Sequence, residues 1–201
     1  MTKPYGAPSS GVKGTTTSAL LFFRQFLASP KSVGSIIPTS QAAIDALLAP
    51  VDWATCRTFV EYGPGTGVFT RSILARARPD LRLIAIDTNP VFIDHLRRTL
   101  PDPRLSAVHG SAGDVEAILA DHGRDAADFI LSGLPFSTLP DGVGTRIMAA
   151  TQAALAPDGA FLVYQYSLFL LPMLKAHFAR IDVEREWRCI PPARLMRAWK
   201  G

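Results

Sequence analysis

The chain has 201 residues, 48% of them apolar and 19% charged, with a formal balance of +4 at neutral pH. That suffices for one domain with a sizeable core and excludes wholesale disorder, while two cysteines without Cys-x-x-Cys spacing, Cys56 and Cys189, exclude a disulfide scaffold and a cysteine-rich zinc site. With neither a run of 18 apolar residues nor a cleavage site behind a long apolar stretch, the chain is expected not to span a membrane and to stay in the cytosol.

Residues 1–17, rich in Gly, Ser, Thr and Pro around Tyr5, predict a flexible arm. From Thr17 or Ser18 the pattern turns helical, with Ala19, Leu20, Phe22, Phe23, Phe26 and Leu27 on one face and Arg24 and Gln25 outside it. Pro30 ends that helix, and Thr39 or Ser40 caps a second one over about 40–49. Strands are predicted at Thr58–Tyr62, Leu81–Asp87, Leu105–His109, Ala127–Ser132 and Ala160–Tyr166, with helices near 68–77, 90–99, 114–121, 143–155 and 168–179. Such alternation implies right-handed crossovers and a parallel sheet covered on both faces. Two further β-like runs, Ile181–Cys189 and Arg194–Trp199, flank Pro191-Pro192 and suggest a terminal hairpin.

Charge is uneven. Residues 1–50 carry four Lys/Arg against one acid, residues 51–171 ten against thirteen, and residues 172–201 seven against three. Basic ends around an acidic middle suit an anionic partner, a membrane face or a nucleic acid, although simple solubility would also use them.

The first strand ends in Glu61-Tyr62-Gly63-Pro64-Gly65-Thr66-Gly67, and the second ends in Asp87, twenty residues after Gly67. Glycines let a backbone approach a ligand, the following helix presents its positive end, and an acid closing the second strand accepts both hydroxyls of a ribose. The pair resembles the class I S-adenosylmethionine-dependent methyltransferase pattern; a nucleotide dehydrogenase and a purely structural turn are the alternatives. The resemblance implies that Gly63, Gly65 and Gly67 line the cofactor's amino-acid portion, that Glu61 serves its amino group, that Asp87 holds its ribose, and that Ser111 and Ala112 meet its adenine. It adds Ser35, Thr66, Thr88, Gly133 and Leu134 to the cofactor contacts.

The fourth strand ends in Ser132-Gly133-Leu134-Pro135-Phe136. Methyltransferases acting on planar amines carry Asn/Asp-(Pro/Leu)-Pro-(Tyr/Phe) there, so Gly133 stands where the polar anchor of an adenine site belongs. An aliphatic amine does not need that anchor.

A narrower resemblance rests on Phe22-Phe23-Arg24-Gln25-Phe26-Leu27, Pro30 to Ser40, the Gly-Leu-Pro-Phe turn followed by Leu139-Pro140, and Ile190-Pro191-Pro192-Ala193. Over about residues 18–200 the chain is similar to the soluble, Rhodobacter-type bacterial phospholipid N-methyltransferases, which methylate phosphatidylethanolamine. It implies a Rossmann-like α/β fold: a mostly parallel seven-stranded sheet with a terminal antiparallel hairpin, and an N-terminal amphipathic extension. Residues 1–50 would form the arm and the membrane or lid element, and residues 51–201 the S-adenosylmethionine domain. The phospholipid substrate and an anionic membrane surface are the expected partners, at the inner face of the cytoplasmic membrane.

The aromatic stripe beside Arg24 and Lys31 suits a lipid interface, although packing on the sheet would use the same residues. Direct attack by a neutral amine nitrogen needs positioning, desolvation and removal of a proton. Aromatic faces stabilise the methylated ammonium, and Phe136, Tyr164, Tyr166 and Tyr5 are candidates. Phe22, Arg24, Lys31, Arg194 and Arg197 are candidates for the lipid and its phosphate, and His109 for the base. His95, His109, His122 and His177 have no ligand spacing, so no metal is implied. The competing readings are an rRNA adenine dimethyltransferase-like enzyme, whose helical RNA-binding domain has no counterpart in this sequence, and a non-catalytic protein that binds cofactor and membrane.

Overall fold

A computed structural model describes residues 40–189 and 191–201. Within them seven strands form one sheet in the order β3-β2-β1-β4-β5-β7-β6. In chain order the elements are α1 (Gln41–Leu48), β1 (Thr58–Tyr62), α2 (Val68–Arg76), β2 (Arg82–Asp87), α3 (Pro90–Thr99), β3 (Leu105–His109), α4 (Val115–Asp121), β4 (Ala127–Ser132), α5 (Val143–Ala154), β5 (Leu155–Gln165), α6 (Leu171–His177), β6 (Arg180–Glu186) and β7 (Ala193–Trp199). Strands β1 to β5 pair in parallel, and β7 pairs antiparallel with both β5 and β6. The expected hairpin is present, with its second strand inserted against β5.

β1 is buried along its whole length because it is covered on both faces. Its alternation sorts the core: Phe59 packs with α1 and α2, whereas Val60 and Tyr62 pack with α4, α5 and α6. The Tyr62 hydroxyl meets Thr151 Oγ1 of α5 at 3.2 Å, and Thr151 in turn donates to the Ile147 carbonyl at 2.7 Å. Burial pushes the Tyr62 phenol up, so it remains a neutral partner. At the opposite end, Asp128 of β4 accepts the backbone N–H groups of Arg57 and Thr58 at 2.7 and 2.8 Å, which fixes where β1 begins.

Helix α1 opens at Ser40, whose hydroxyl accepts from Ala43 N at 3.2 Å. Ala43, Ile44, Leu47 and Leu48 are buried with Phe59 and Leu195 in one cluster. Arg197 of β7 ties the helix down by donating to the Ala46 carbonyl at 2.6 Å and to Glu184 at 2.8 Å. Helix α1 thus belongs to the same compact unit as the sheet, which takes in residues 38–201.

Three elements depart from expectation by three or more residues, the first being α6, which spans Leu171–His177 where 168–179 was expected. β5 begins at Leu155, not Ala160, because Leu155 pairs with Ala127 before the register shifts ahead of Phe129. β6 ends at Glu186, not Cys189, because the Glu186 carboxylate accepts Arg188 N at 2.7 Å and turns the chain.

Candidate active site

The carboxyl ends of the parallel strands bring the candidate residues together, as expected for a doubly wound sheet. Gly63, Gly65 and Gly67 all have positive φ (65°, 54° and 79°), which only glycine adopts without strain. At Gly67 a Cβ would also lie 2.7 Å from Leu96 Cδ2 of α3, and at Gly63 3.0 Å from Leu134 Cδ2. The loop is thus clamped from below by α3 and from the side by the turn after β4. Above Gly65 the space is open, with nothing within 4 Å of its would-be Cβ.

Two carboxyls frame that loop. Glu61 is 1% exposed and its Oε2 accepts the Thr70 hydroxyl at 2.7 Å. Burial lifts its pKa from 4.5 to about 7, the Thr70 hydrogen bond opposes the rise, and the nearby Asp87 charge adds to it. Its hydrogen bonds come from Thr70, with the Arg71 charge acting on it only through space, which fits a group poised for an incoming ammonium. Asp87 closes β2, accepts Asn89 N at 2.8 Å and the Gly65 N–H, and burial raises its pKa as well. Positive-φ glycines, open space at Gly65, a buried carboxyl bonded to a hydroxyl and a strand-end acid fit the amino-acid and ribose portions of S-adenosylmethionine. That donor brings a methyl group made electrophilic by its sulfonium sulfur.

Ser111 and Ala112 follow β3 as predicted. Ser111 Oγ accepts Gly113 N at 3.2 Å, so its side chain shapes the loop, and Ala112 is 7% exposed. Thr66 turns with the glycine loop and its carbonyl accepts from Arg71 at 2.8 Å. His109 donates from Nε2 to the Thr88 carbonyl at 3.1 Å and stands beside Asp87. Three strand spacings, about 14 Å, separate β3 from β4. His109 therefore stands at the ribose edge, with that ring nitrogen occupied.

At the β4 end, Gly133 N donates to the Tyr62 carbonyl at 3.2 Å and Leu134 N to Ser132 Oγ at 3.2 Å. A Cβ at Gly133 would meet only the Gly63 carbonyl, at 3.7 Å. No strain demands glycine there, so the missing polar anchor leaves usable space. Phe136, expected to offer its face to the ammonium, is 4% exposed and packed in the core beside Gly144 of α5.

The tyrosines of β5 do converge. Tyr164 and Tyr166 lie edge to face with centroids 5.6 Å apart and hydroxyls 3.0 Å apart. Tyr164 also stands edge-on to Phe69, in the first turn of α2, at 5.7 Å. Burial and the hydrogen bond to Tyr166 push the Tyr164 phenol up, so the pair stays neutral at working pH. Between them Gln165 points the other way and donates to the Leu134 carbonyl at 3.1 Å, bolting β5 to the β4 turn. Arg194 is in register with Gln165 and Arg185 at this same strand end, whereas Arg197, held by α1 and Glu184, is a structural cation and not a phosphate ligand.

Thr70, Gln165 and Phe69 were not among the predicted site residues. Thr70 stands nine residues beyond Glu61, but only the packing of α2 on β1 reveals the pairing. Tyr5, Phe22, Arg24, Lys31 and Ser35, with the aromatic stripe, lie outside the described residues. Among the described residues no group of three or more His, Cys, Asp or Glu is disposed to hold a metal, and no helix is long and apolar enough to cross a membrane.

Sheet order, glycine loop and strand-end acid define a class I S-adenosylmethionine-dependent methyltransferase. Residues 59–159, half of the chain, match the family described as a methyltransferase domain, and the chain belongs to that family. It is 29% identical over 179 residues to an ornithine lipid N-methyltransferase from Singulisphaera acidiphila, covering 86% of this chain and 91% of that protein. A ribosomal RNA small subunit methyltransferase H from Aromatoleum aromaticum is 40% identical over 74 residues, which span 37% of this chain and 23% of the relative. Among solved structures, the N-methyltransferase NodS from Bradyrhizobium japonicum, in complex with S-adenosylhomocysteine, superposes with a TM-score of 0.69 at 15% identity, over 90% of this chain and 97% of that one.

Proposed function

We propose that this enzyme methylates the amine of a membrane lipid, with phosphatidylethanolamine and its mono- and dimethyl forms as substrates on the way to phosphatidylcholine. The observation that carries the reading is the breadth of the match. The ornithine lipid enzyme aligns over 91% of its length, whereas the rRNA enzyme aligns over 23% of its own. Gly133 agrees, since it offers no amide or carboxylate to a planar amine.

On this reading Glu61 and the glycine loop bind and orient the donor, and Asp87 fixes its ribose. The Tyr164–Tyr166 pair, beside Phe69 and α2, offers aromatic faces and a hydroxyl to an ammonium, each face contributing about 0.5–2 kcal/mol. Arg194 supplies a cation for the lipid phosphate. Water takes the amine proton, since the Glu186 carboxylate at the end of β6 is already occupied by Arg188 N. The N-terminal stripe of Phe22, Phe23 and Phe26 with Arg24 and Lys31 would bring the protein to the cytoplasmic membrane surface.

The relative's name favours a second acceptor, the amine of an ornithine lipid. The test is methyl transfer from labelled donor to vesicles containing phosphatidylethanolamine, to vesicles containing ornithine lipid, and to ribosomal RNA. Label in the phosphatidylethanolamine headgroup is the expected result. Label in ornithine lipid alone would move the substrate to the second reading, and label only in RNA, or none anywhere, would reject lipid methylation.

A further inference from the structure

We infer that the rim formed by the β5–α6 and β6–β7 turns docks on an anionic lipid bilayer, holding the acceptor end of the site at the membrane surface. This rests on the lipid reading above and adds a contact made by the methyltransferase unit itself. Four large apolar side chains stand out of this rim: Tyr166 at 36% exposed, Leu168 at 41%, Phe169 at 56% and Trp187 at 66%. Soluble domains scatter such residues singly, whereas a group gathered at one end of a sheet marks a contact surface. β5 and β6 are parallel and separated only by β7, so their ends lie about 10 Å apart.

Both turns are held by their own chains. Phe169 N donates to Ser167 Oγ at 3.4 Å, Leu171 N donates to the Leu168 carbonyl at 3.0 Å, and Leu170 is fully buried as an anchor. The Arg185 guanidinium lies 3.8 Å from the centroid of the Trp187 ring. Ser167, Leu170 and Arg185 thereby hold Phe169 and Trp187 in their exposed positions.

Charge selects the occupant. Residues 166–175 and 185–194 contain Lys175, Arg185, Arg188 and Arg194 against Glu186 alone, and Glu186 is 9% exposed with its carboxylate accepting from Arg188 N. Apolar and aromatic side chains interleaved with arginine are the composition that settles into an anionic headgroup layer. A second copy of the chain would bring the same positive rim. Residues 1–37, with four Lys/Arg and no acid, have that sign too.

The test uses the full chain and vesicles of phosphatidylglycerol mixed with phosphatidylcholine brominated on its acyl chains, reading tryptophan quenching. Trp53 and Trp199 pack against the core, so Trp187 supplies the quenchable signal. Quenching should fall at least twofold in Trp187→Phe. Vesicle affinity should fall at least threefold in Phe169→Ala and further in Arg185→Glu with Arg188→Glu, with S-adenosylhomocysteine affinity unchanged by calorimetry. Equal quenching in wild type and Trp187→Phe would overturn the proposal. So would a dimer in wild type that Trp187→Phe dissociates, since the rim would then face a second copy. Transfer to a short-chain phosphatidylethanolamine dissolved below its micelle threshold reads the lipid activity separately, so loss of one result leaves the other standing.

Discussion

Glu61 is buried as an acid in a site built for a cation, and this couples donor binding to pH. Its folded pKa of about 7 lies above its ordinary 4.5, so its contribution to the empty fold is complete below pH 4.5 and is lost as pH rises through 7. At about 1.4 kcal/mol per unit, the ionised carboxylate destabilises the empty protein on the order of 3 kcal/mol at pH 8. Glu61→Gln, which keeps a group for Thr70, is therefore expected to raise the melting temperature at pH 8 while weakening S-adenosylhomocysteine at least tenfold. In the wild type the same affinity should be about tenfold weaker at pH 6 than at pH 8, because the ammonium requires the carboxylate; calorimetry at the two pH values checks this. Tyr166→Ala removes a ring that touches Tyr164 and little else of the core, so transfer to lipid should drop roughly tenfold, about 1.4 kcal/mol, with donor affinity intact. Comparing kcat/KM with the binding constant separates the two effects. Residues of this kind differ in how legible they were. The glycines and Asp87 announce themselves because positive φ and a strand-end acid are local demands. The surroundings of Phe136 and Arg197 were not legible, because only tertiary packing puts the first in the core and has the second held by Ala46 and Glu184.

Elements came through the sequence nearly whole, since β1, β3, β4 and α3 fall where periodicity and breakers put them. The misses lie where pairing outweighs local chemistry. The strand was expected to begin at Ala160, yet Leu155 pairs with Ala127 and draws Pro157, Asp158 and Gly159 into β5. Element contacts also set what the glycine loop tolerates. Gly67→Ala meets both a left-handed backbone and Leu96 of α3, and it should cost about 2 kcal/mol or more, read from the urea midpoint. Gly133→Asn, by contrast, has room and no strain and should leave that midpoint nearly unchanged. If the open space at 133 admits the aliphatic amine, the new amide should still cut lipid methylation severalfold.

For the molecule as a whole, the burial of α1 against Phe59 and Leu195 joins that helix to the sheet. Composition could not have shown this, because 40–49 reads as an amphipathic helix and its partner, β7, lies some 150 residues away in the chain; Arg197 and Ala46 make the tie. A chain of residues 38–201 should unfold cooperatively, with a melting temperature within a few degrees of the full chain, since it keeps the sheet and the core clusters of the described residues. Transfer to lipid vesicles should nevertheless fall at least tenfold, because Tyr5, Phe22, Arg24, Lys31 and Ser35 would be gone. A crystal structure with S-adenosylhomocysteine is the most direct measurement of the central claim. The expected result has the ribose on Asp87, the amino group served by Glu61, and the sulfur opening toward Tyr164 and Tyr166 at the end of β5. A sulfur turned toward His109 and β3, or a ligand seated away from the glycine loop, would contradict it.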